Sequence, residues 1–246
     1  MADTITIEVF RYRPEDGAEP VYDTFDVPLR QEWRVLDALN HVKDEVDGSL
    51  TFRWSCRMGV CGSCGMMVNG VPKLTCSAFL RDFAPGPIRI DPLDGFPVER
   101  DLVTVLDDFM GKLSAVTPWM VHKDERSVEQ GEYRQSPAEL AQFKQYSMCI
   151  NCTLCYAACP VYTHEDDFLG PAVLALAQRY NLDSRNDGNE QRYPLIWSDS
   201  GIWDCTFVGE CSVVCPKHVD PSAAIQQAKV QSAQSFFASF LPFGKR

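Results

Sequence analysis

Cys205, Cys211 and Cys215 stand in the pattern Cys205-x2-Val208-x2-Cys211-x3-Cys215-Pro216, a four-position run whose second position holds valine. A complete run lies upstream as Cys149-x2-Cys152-x2-Cys155-x3-Cys159-Pro160. This is the bacterial spacing for paired iron-sulfur clusters, in which the fourth cysteine of a run ligates the other cluster. Exchange of the last ligands gives Cys149, Cys152, Cys155 and Cys215 four thiolates for a 4Fe-4S cluster, and leaves Cys159, Cys205 and Cys211 as a set of three. Valine has no donor atom for iron, so the second set predicts a 3Fe-4S cluster. A retained fourth iron bound by water or an outside ligand is the alternative. Further upstream, Cys56-x4-Cys61-x2-Cys64 followed after eleven residues by Cys76 matches the plant-type spacing for a 2Fe-2S cluster.

All eleven cysteines are used by these three sets, which leaves no thiol for a disulfide or a separate nucleophile. Zinc is the competing reading, because paired C-x2-C units also form zinc ribbons. Those ribbons lack the x4 and x3-Cys-Pro spacings, and the three-thiolate site would need His164 or His218 as a fourth ligand. Soft thiolates suit iron-sulfur clusters, which carry one electron each, so three of them in one chain read as a wire. Around the first set, Arg53, Arg57, Gly59, Gly62 and Gly65 would bring positive charge and bare amides to the sulfides, although a tight loop alone also calls for glycine. The four histidines, His41, His122, His164 and His218, are scattered without catalytic spacing, and neither a dinucleotide fingerprint nor a phosphate loop occurs. The chemistry at both ends of the wire is expected to belong to partners.

A length of 246 residues suits two domains. The net charge of -11 argues against nucleic acid as a partner. Between Pro216 and Arg246 the balance reverses, with Lys217, Lys229, Lys245 and Arg246 against Asp220 alone. That end would suit a membrane protein or lipid headgroups, or it is a solvated tail. No stretch reaches the roughly 20 apolar residues of a membrane span, and no signal-peptide core precedes the first alternating segment, so a cytoplasmic protein is expected.

Positioning these loops requires two kinds of scaffold. Thr4–Arg11 and Val21–Val27 read as strands around a turn at Arg13–Gly17, and Val35, Leu39, Val42 and Val46 fall on one stripe of a helix over Trp33–Val46. Asn69-Gly70 between apolar residues predicts a type I′ hairpin over Met66–Leu74, with a further strand at Pro87–Asp91. A second helix is expected from Asp101, with Leu102, Val105, Leu106, Phe109 and Leu113 on its stripe, followed by a polar linker over Ser114–Gln135. Beyond it, Ser136-Pro137-Ala138-Glu139, Gly170-Pro171 and Asp220-Pro221 each announce a helix start. The expected fold is α+β: a β-grasp domain of plant-type 2Fe-2S ferredoxin kind over residues 1–105, a connecting helix and linker over 106–135, and a mostly α-helical bacterial-type ferredoxin domain over 136–246.

With its motifs in this order, nearly the whole chain resembles the iron-sulfur subunits of the succinate dehydrogenase and fumarate reductase family. Arg53-Trp54-Ser55-Cys56-Arg57-Met58 and Cys61-Gly62-Ser63-Cys64-Gly65 look like its 2Fe-2S loop. Cys205-Thr206-Phe207-Val208-Gly209, Cys215-Pro216-Lys217-His218-Val219-Asp220-Pro221 and the stretch Tyr162-Thr163-His164 look closest to the fumarate reductase branch. The resemblance implies a flavoprotein partner whose FAD reduces fumarate, membrane anchor subunits that bind menaquinone or ubiquinone, and a place on the cytoplasmic face of the membrane. It implies an electron order of FAD, 2Fe-2S, 4Fe-4S, 3Fe-4S and quinone, and places Thr206, Phe207, Gln226 and Lys229 near a quinone. Gln226 and Lys229 are otherwise exposed positions of a helix that runs on into the aromatic stretch Phe236–Phe243. The same relay working as a succinate:quinone oxidoreductase is the second expectation, and a free-standing soluble ferredoxin the third.

Overall fold

Alternation of apolar and polar residues makes Thr4–Arg11 a strand (β1) with one buried face, Ile5, Ile7, Val9 and Arg11. The computed structural model describes residues 4–17 and 19–240. Two units divide the chain: Met1–Leu106 with Ile150–Ala158, and Asp107–Cys149 with Cys159–Arg246.

In the first unit β1 pairs antiparallel with β2 (Val21–Pro28), Ile7 opposite Phe25. The helix α1 (Val35–His41) follows, then β3 (Gly65–Val68), β4 (Val71–Leu74) and β5 (Ile88–Asp91) complete a sheet of order β2-β1-β5-β3-β4. β5 lies parallel to β1 and antiparallel to β3. The β3–β4 turn has positive φ at both Asn69 (49°) and Gly70 (75°), which a type I′ turn requires. Val35, Ala38, Leu39 and Val42 pack on Ile5, Ile7, Val9, Ile88 and Ile90 to form the core. This is the grasp of a sheet around a helix, with the cysteine loop following the helix.

Two expected helices differ in detail. After His41 the backbone widens into a π turn over Val42–Val46, closed by Asp47 N–H to the Val42 carbonyl at 2.7 Å. The wider turn rotates Val46 off the apolar stripe and leaves it 60% exposed. Asp101 does not start a helix either. Its carboxylate is buried and accepts from Tyr12 N–H (3.0 Å), Thr51 N–H (2.9 Å) and Arg11 Nε (3.2 Å), with φ of 44°. Those bonds fix the connection between β6 (Val98–Arg100) and β7 (Val103–Thr104), which pair antiparallel, and α2 begins only at Asp107, running to Ala115.

The second unit is helical. Ser136 caps α3 (Pro137–Phe143) by the expected box: Ser136 Oγ accepts from Glu139 N–H, and the Glu139 carboxylate accepts from Ser136 N–H at 2.7 Å. α4 (Pro171–Asn181) and α6 (Pro221–Ser239) start with proline in the first turn, and α5 (Asn189–Ile196) lies between them. α4 and α6 pack through buried alanines, Ala175 and Ala177 on one and Ala224 and Ala228 on the other, and Gln178 Nε2 donates to Gln231 Oε1 at 3.0 Å. The polar stretch before α3 is anchored. Buried Arg192 donates to the carbonyls of Thr117 (3.0 Å) and Trp119 (2.6 Å), and Asp187 N–H to that of Val121 (2.8 Å). No helix among the described residues is long and apolar enough to cross a membrane. Phe236, Phe237 and Phe240 are exposed at the end of α6, whereas Leu241, Pro242, Phe243, Lys245 and Arg246 lie outside the described residues.

Candidate iron-sulfur sites

The loop between α1 and β3 wraps its backbone around sulfur. Cys56 Sγ accepts N–H bonds from Met58 (3.4 Å), Val60 (3.3 Å) and Cys61 (3.3 Å), and Cys61 Sγ accepts one from Cys56 (3.5 Å). Those three donors lower the Cys56 thiol to about 6. Cys64 and Cys76 sit in the buried half of the site. Burial, the neighbouring Cys64 sulfur and the Cys56 charge push Cys76 up to about 11, against a Gly59 N–H that favours the thiolate. Four sulfurs gathered so closely repel one another as thiolates, and a cationic iron core is what such a donor set accommodates. The amides that reach sulfur come mainly from Met58, Val60 and Cys61 rather than from the glycines singled out by composition. Neither arginine is directed at the sulfurs: Arg53 donates to the Thr104 carbonyl (3.0 Å) and Arg57 lies 4.3 Å over the Trp54 ring.

Cys152 and Cys155 fall in the first unit, the latter in a single helical turn, Leu154–Ala157. Cys149 and Cys215 fall in the second, both packed against Ala175, Val219 and Ala224, with Val219 N–H on Cys215 Sγ at 3.3 Å. Asn151 and Thr153, on either side of Cys152, take positive φ (54° and 58°).

Cys159, Cys205 and Cys211 come together within the second unit. Burial pushes Cys211 up to about 11, and the charges of Cys159 and Cys205 add to it. Burial raises Cys159 as well, while the N–H groups of Tyr162 and Val161 oppose that shift and the Cys205 charge reinforces it. Val208 stands exposed on the same loop, between Phe207 (φ 61°) and Gly209 (φ 88°). Among the described residues no three His, Cys, Asp or Glu side chains converge to hold a single metal ion. Thiolates around a cluster are terminal ligands distributed over its several irons and need not converge on one point.

The residues expected near a quinone are partly gathered here. Thr206 and Phe207 are exposed on the Cys205 loop, and Lys229 of α6 reaches that loop, its Nζ donating to the Cys205 carbonyl at 2.7 Å and lying 5.6 Å from the Trp203 ring centre. Gln226 lies one turn before Lys229 on α6, with a buried Nε2 that has no hydrogen-bond partner among the described residues.

Comparison with known proteins follows these two halves. Residues 6–111 match the 2Fe-2S iron-sulfur cluster binding domain, and residues 145–219 match the 4Fe-4S dicluster domain. The chain is 57% identical to the fumarate reductase iron-sulfur subunit of Mycobacterium tuberculosis, with 99% of each chain covered. It is 48% identical to the subunit of that name from Haemophilus influenzae, with 96% of each covered. Among solved structures, a chain of the Mycobacterium smegmatis Sdh1 complex in the apo form superposes with a TM-score of 0.85 at 25% identity, covering 99% of this chain and all of that one. Near-complete coverage at this identity, with both cluster-binding domains present, places the chain in the fumarate reductase iron-sulfur subunit family, whose members are non-catalytic electron-transfer subunits carrying 2Fe-2S, 4Fe-4S and 3Fe-4S clusters.

Proposed function

We propose that this chain relays electrons within a membrane-bound quinol:fumarate reductase, from quinol in membrane anchor subunits to FAD in a flavoprotein subunit. In this reading Cys56, Cys61, Cys64 and Cys76 hold the 2Fe-2S cluster; Cys149, Cys152, Cys155 and Cys215 hold the 4Fe-4S cluster; and Cys159, Cys205 and Cys211 hold the 3Fe-4S cluster. The clusters supply one-electron carriers, and the protein supplies thiolates, amide donors and spacing. The β-grasp part, residues 1–105, faces the flavoprotein; residues 136–246 face the anchors on the cytoplasmic side of the membrane; residues 106–135 connect the two.

The observation that carries this reading is the gathering of Cys159, Cys205 and Cys211 beside a loop in which Val208 occupies the second ligand position of its run. A three-thiolate site has no ligand for a fourth iron, which suits a one-electron terminus next to a quinone. Lys229 supports the assignment of that terminus, because its ammonium bonds the carbonyl of the ligand Cys205 and can offer a further N–H to a quinone oxygen. The unpartnered Gln226 amide is a second donor on the same helix, and Thr206 and Phe207 supply a hydroxyl and an apolar wall.

The reverse direction, succinate to quinone, is the second reading, supported by the likeness to a chain of an Sdh1 complex. Both readings are tested on the complex isolated with its membrane. Paramagnetic resonance during stepwise reduction is expected to show a three-iron signal in the oxidised state and a 2Fe-2S signal on reduction. Full iron content without the oxidised signal refutes the ligand division. Faster succinate oxidation by quinone than fumarate reduction by menaquinol favours the reverse direction.

A further inference from the structure

Gly62 sits between two ligand positions of the 2Fe-2S loop, Cys61 and Cys64, and its φ is +77°. A Cβ built on it would stand 2.8 Å from Cys152 Cβ, 3.0 Å from Cys152 Cα and 3.1 Å from the Ile150 carbonyl oxygen. Real Cβ atoms essentially never come within 2.8 Å of another heavy atom, so the backbone at residue 62 already lies in contact with Cys152. Beside this contact the packing opens into a cavity of about 190 Å³, whose lining includes Cys61, Ser63, Asn151, Cys152 and Thr153. Packed atoms thus bridge the two loops at Gly62, next to a cavity that offers no such bridge. By contrast Gly59, in the same loop and also left-handed at +68°, has nothing within 4 Å of its would-be Cβ.

We propose that Gly62 is a positioning residue for electron transfer: lacking a side chain, it lets the 2Fe-2S loop rest on Cys152 and thereby sets the distance between the first two clusters. The inference rests on the ligand assignment above, with Cys61 on the 2Fe-2S site and Cys152 on the 4Fe-4S site. From Cys61 a short run of covalent bonds reaches Gly62 Cα, one van der Waals step reaches Cys152 Cβ, and one bond reaches its sulfur. In the fumarate-reducing direction one electron leaves the Cys152 side, which is oxidised, and reduces the Cys61 side; no bond forms or breaks and no proton is required. Tunnelling falls steeply with separation, so a methyl group wedged at residue 62 slows this step without altering any ligand.

The test uses the intact complex carrying Gly62→Ala or Gly70→Ala, read by paramagnetic resonance with both clusters reduced. Two reduced clusters in proximity broaden each other's signals and speed their relaxation. The expected result for Gly62→Ala is weaker mutual broadening and lower quinol-to-fumarate turnover, with each cluster's own signal and midpoint potential as in the wild type. Gly70→Ala, in the β3–β4 turn outside the cysteine loops, carries nearly the same left-handed strain (φ +75°) in open space and is expected to match the wild type. Wild-type broadening and turnover in Gly62→Ala, or equal losses in Gly70→Ala, overturn the proposal. Should Gly62→Ala assemble no 2Fe-2S cluster, Gly65→Val is the second wedge: a Cβ on Gly65, at the start of β3, meets Leu154 Cδ2 at 3.0 Å and the Cys152 carbonyl at 3.3 Å. Undiminished broadening in that variant also overturns it. Absence of either signal in the wild-type complex sinks the ligand assignment itself, and this inference with it.

Discussion

Arg11→Met removes a cation that ends β1 on the buried side of the sheet, and its cost follows from what the guanidinium leaves behind. The Arg11 side chain is 4% exposed and bonds Asp47 (2.6 Å), Asp23 (2.8 Å), Ser49 (2.9 Å) and Asp101 (3.2 Å). Burial opposes its charge, but the bond to Asp47 and the charges of Asp101 and Asp47 raise its pKa nonetheless. Asp23 and Asp47 keep 46% and 30% side-chain exposure, so water can replace the arginine there and little is lost. Asp101 is fully buried and would face methionine as an uncompensated charge, a situation that costs about 3–5 kcal/mol. Two backbone N–H bonds from Tyr12 and Thr51 remain on its oxygens, which argues for the lower end, about 3 kcal/mol. For a domain of this size, about 3 kcal/mol corresponds to a fall in melting temperature of roughly 12–24 °C. The assay is the temperature at which the visible absorbance of the clusters bleaches at a fixed heating rate, compared between wild type and variant complexes. Adding Asp101→Asn, which neutralises the stranded charge and tolerates the positive φ, is expected to restore part of the loss. A shift under a few degrees in Arg11→Met, or no recovery in the double variant, refutes the reasoning.

Val208→Cys supplies a thiolate at the vacant ligand position of an exposed loop, and the expected outcome is loss of the oxidised three-iron signal with gain of a fourth iron and a lower midpoint potential at that site; persistence of the signal at an unchanged potential counts against the division of ligands. Lys229→Met deletes the charge-assisted bond to the Cys205 carbonyl. It also removes the N–H offered to a quinone oxygen; a charge-assisted bond of that kind is worth about 1.5–3 kcal/mol, and its loss at the quinone step is expected to lower quinol-linked turnover by about tenfold or more while fumarate reduction from an artificial donor to the flavoprotein is retained. Stability is expected to decline on acidification. Asp220 is held below its ordinary value by the Ser212 hydroxyl at the start of α6, and Arg185 does the same for Asp183 in spite of its burial. Each carboxylate, depressed in the folded state, contributes fully above the unfolded value of about 4 and loses its contribution as pH falls through the folded pKa. Bleaching temperatures that stay flat from pH 6 to about pH 3 would contradict this.

Local chemistry was legible wherever a residue acts on its immediate neighbours. Asn69-Gly70 can close a two-residue hairpin because both tolerate positive φ, and Ser136 with Glu139 can satisfy the first turn of a helix regardless of what surrounds it. Asp101 reads by the same local rules as the start of a helix. What prevents it is distant: Arg11, Tyr12 and Thr51 reach its carboxylate from elements that adjacent residues do not reveal, and the helix waits until Asp107. Val46 follows the same logic, since a π turn changes the angular step between residues and so moves a side chain whose sequence spacing is flawless.

The cluster loops divide in the same way. The proposed division of ligands rests on spacing, because a cluster of fixed size demands fixed intervals of chain. The amides that face the sulfurs cannot be read that way: every residue owns an N–H, and those of Met58 and Val60 reach Cys56 because of backbone conformation. Glycine in such a loop therefore has two meanings that composition cannot separate. Gly59 answers a need for a left-handed backbone and faces open space, whereas Gly62 answers that need and also the approach of Cys152, a residue 90 positions later in the chain. An electron relay depends on the second kind of glycine more than on the first, since a loop that bends correctly but stands further from its neighbour would hold its cluster and still conduct poorly.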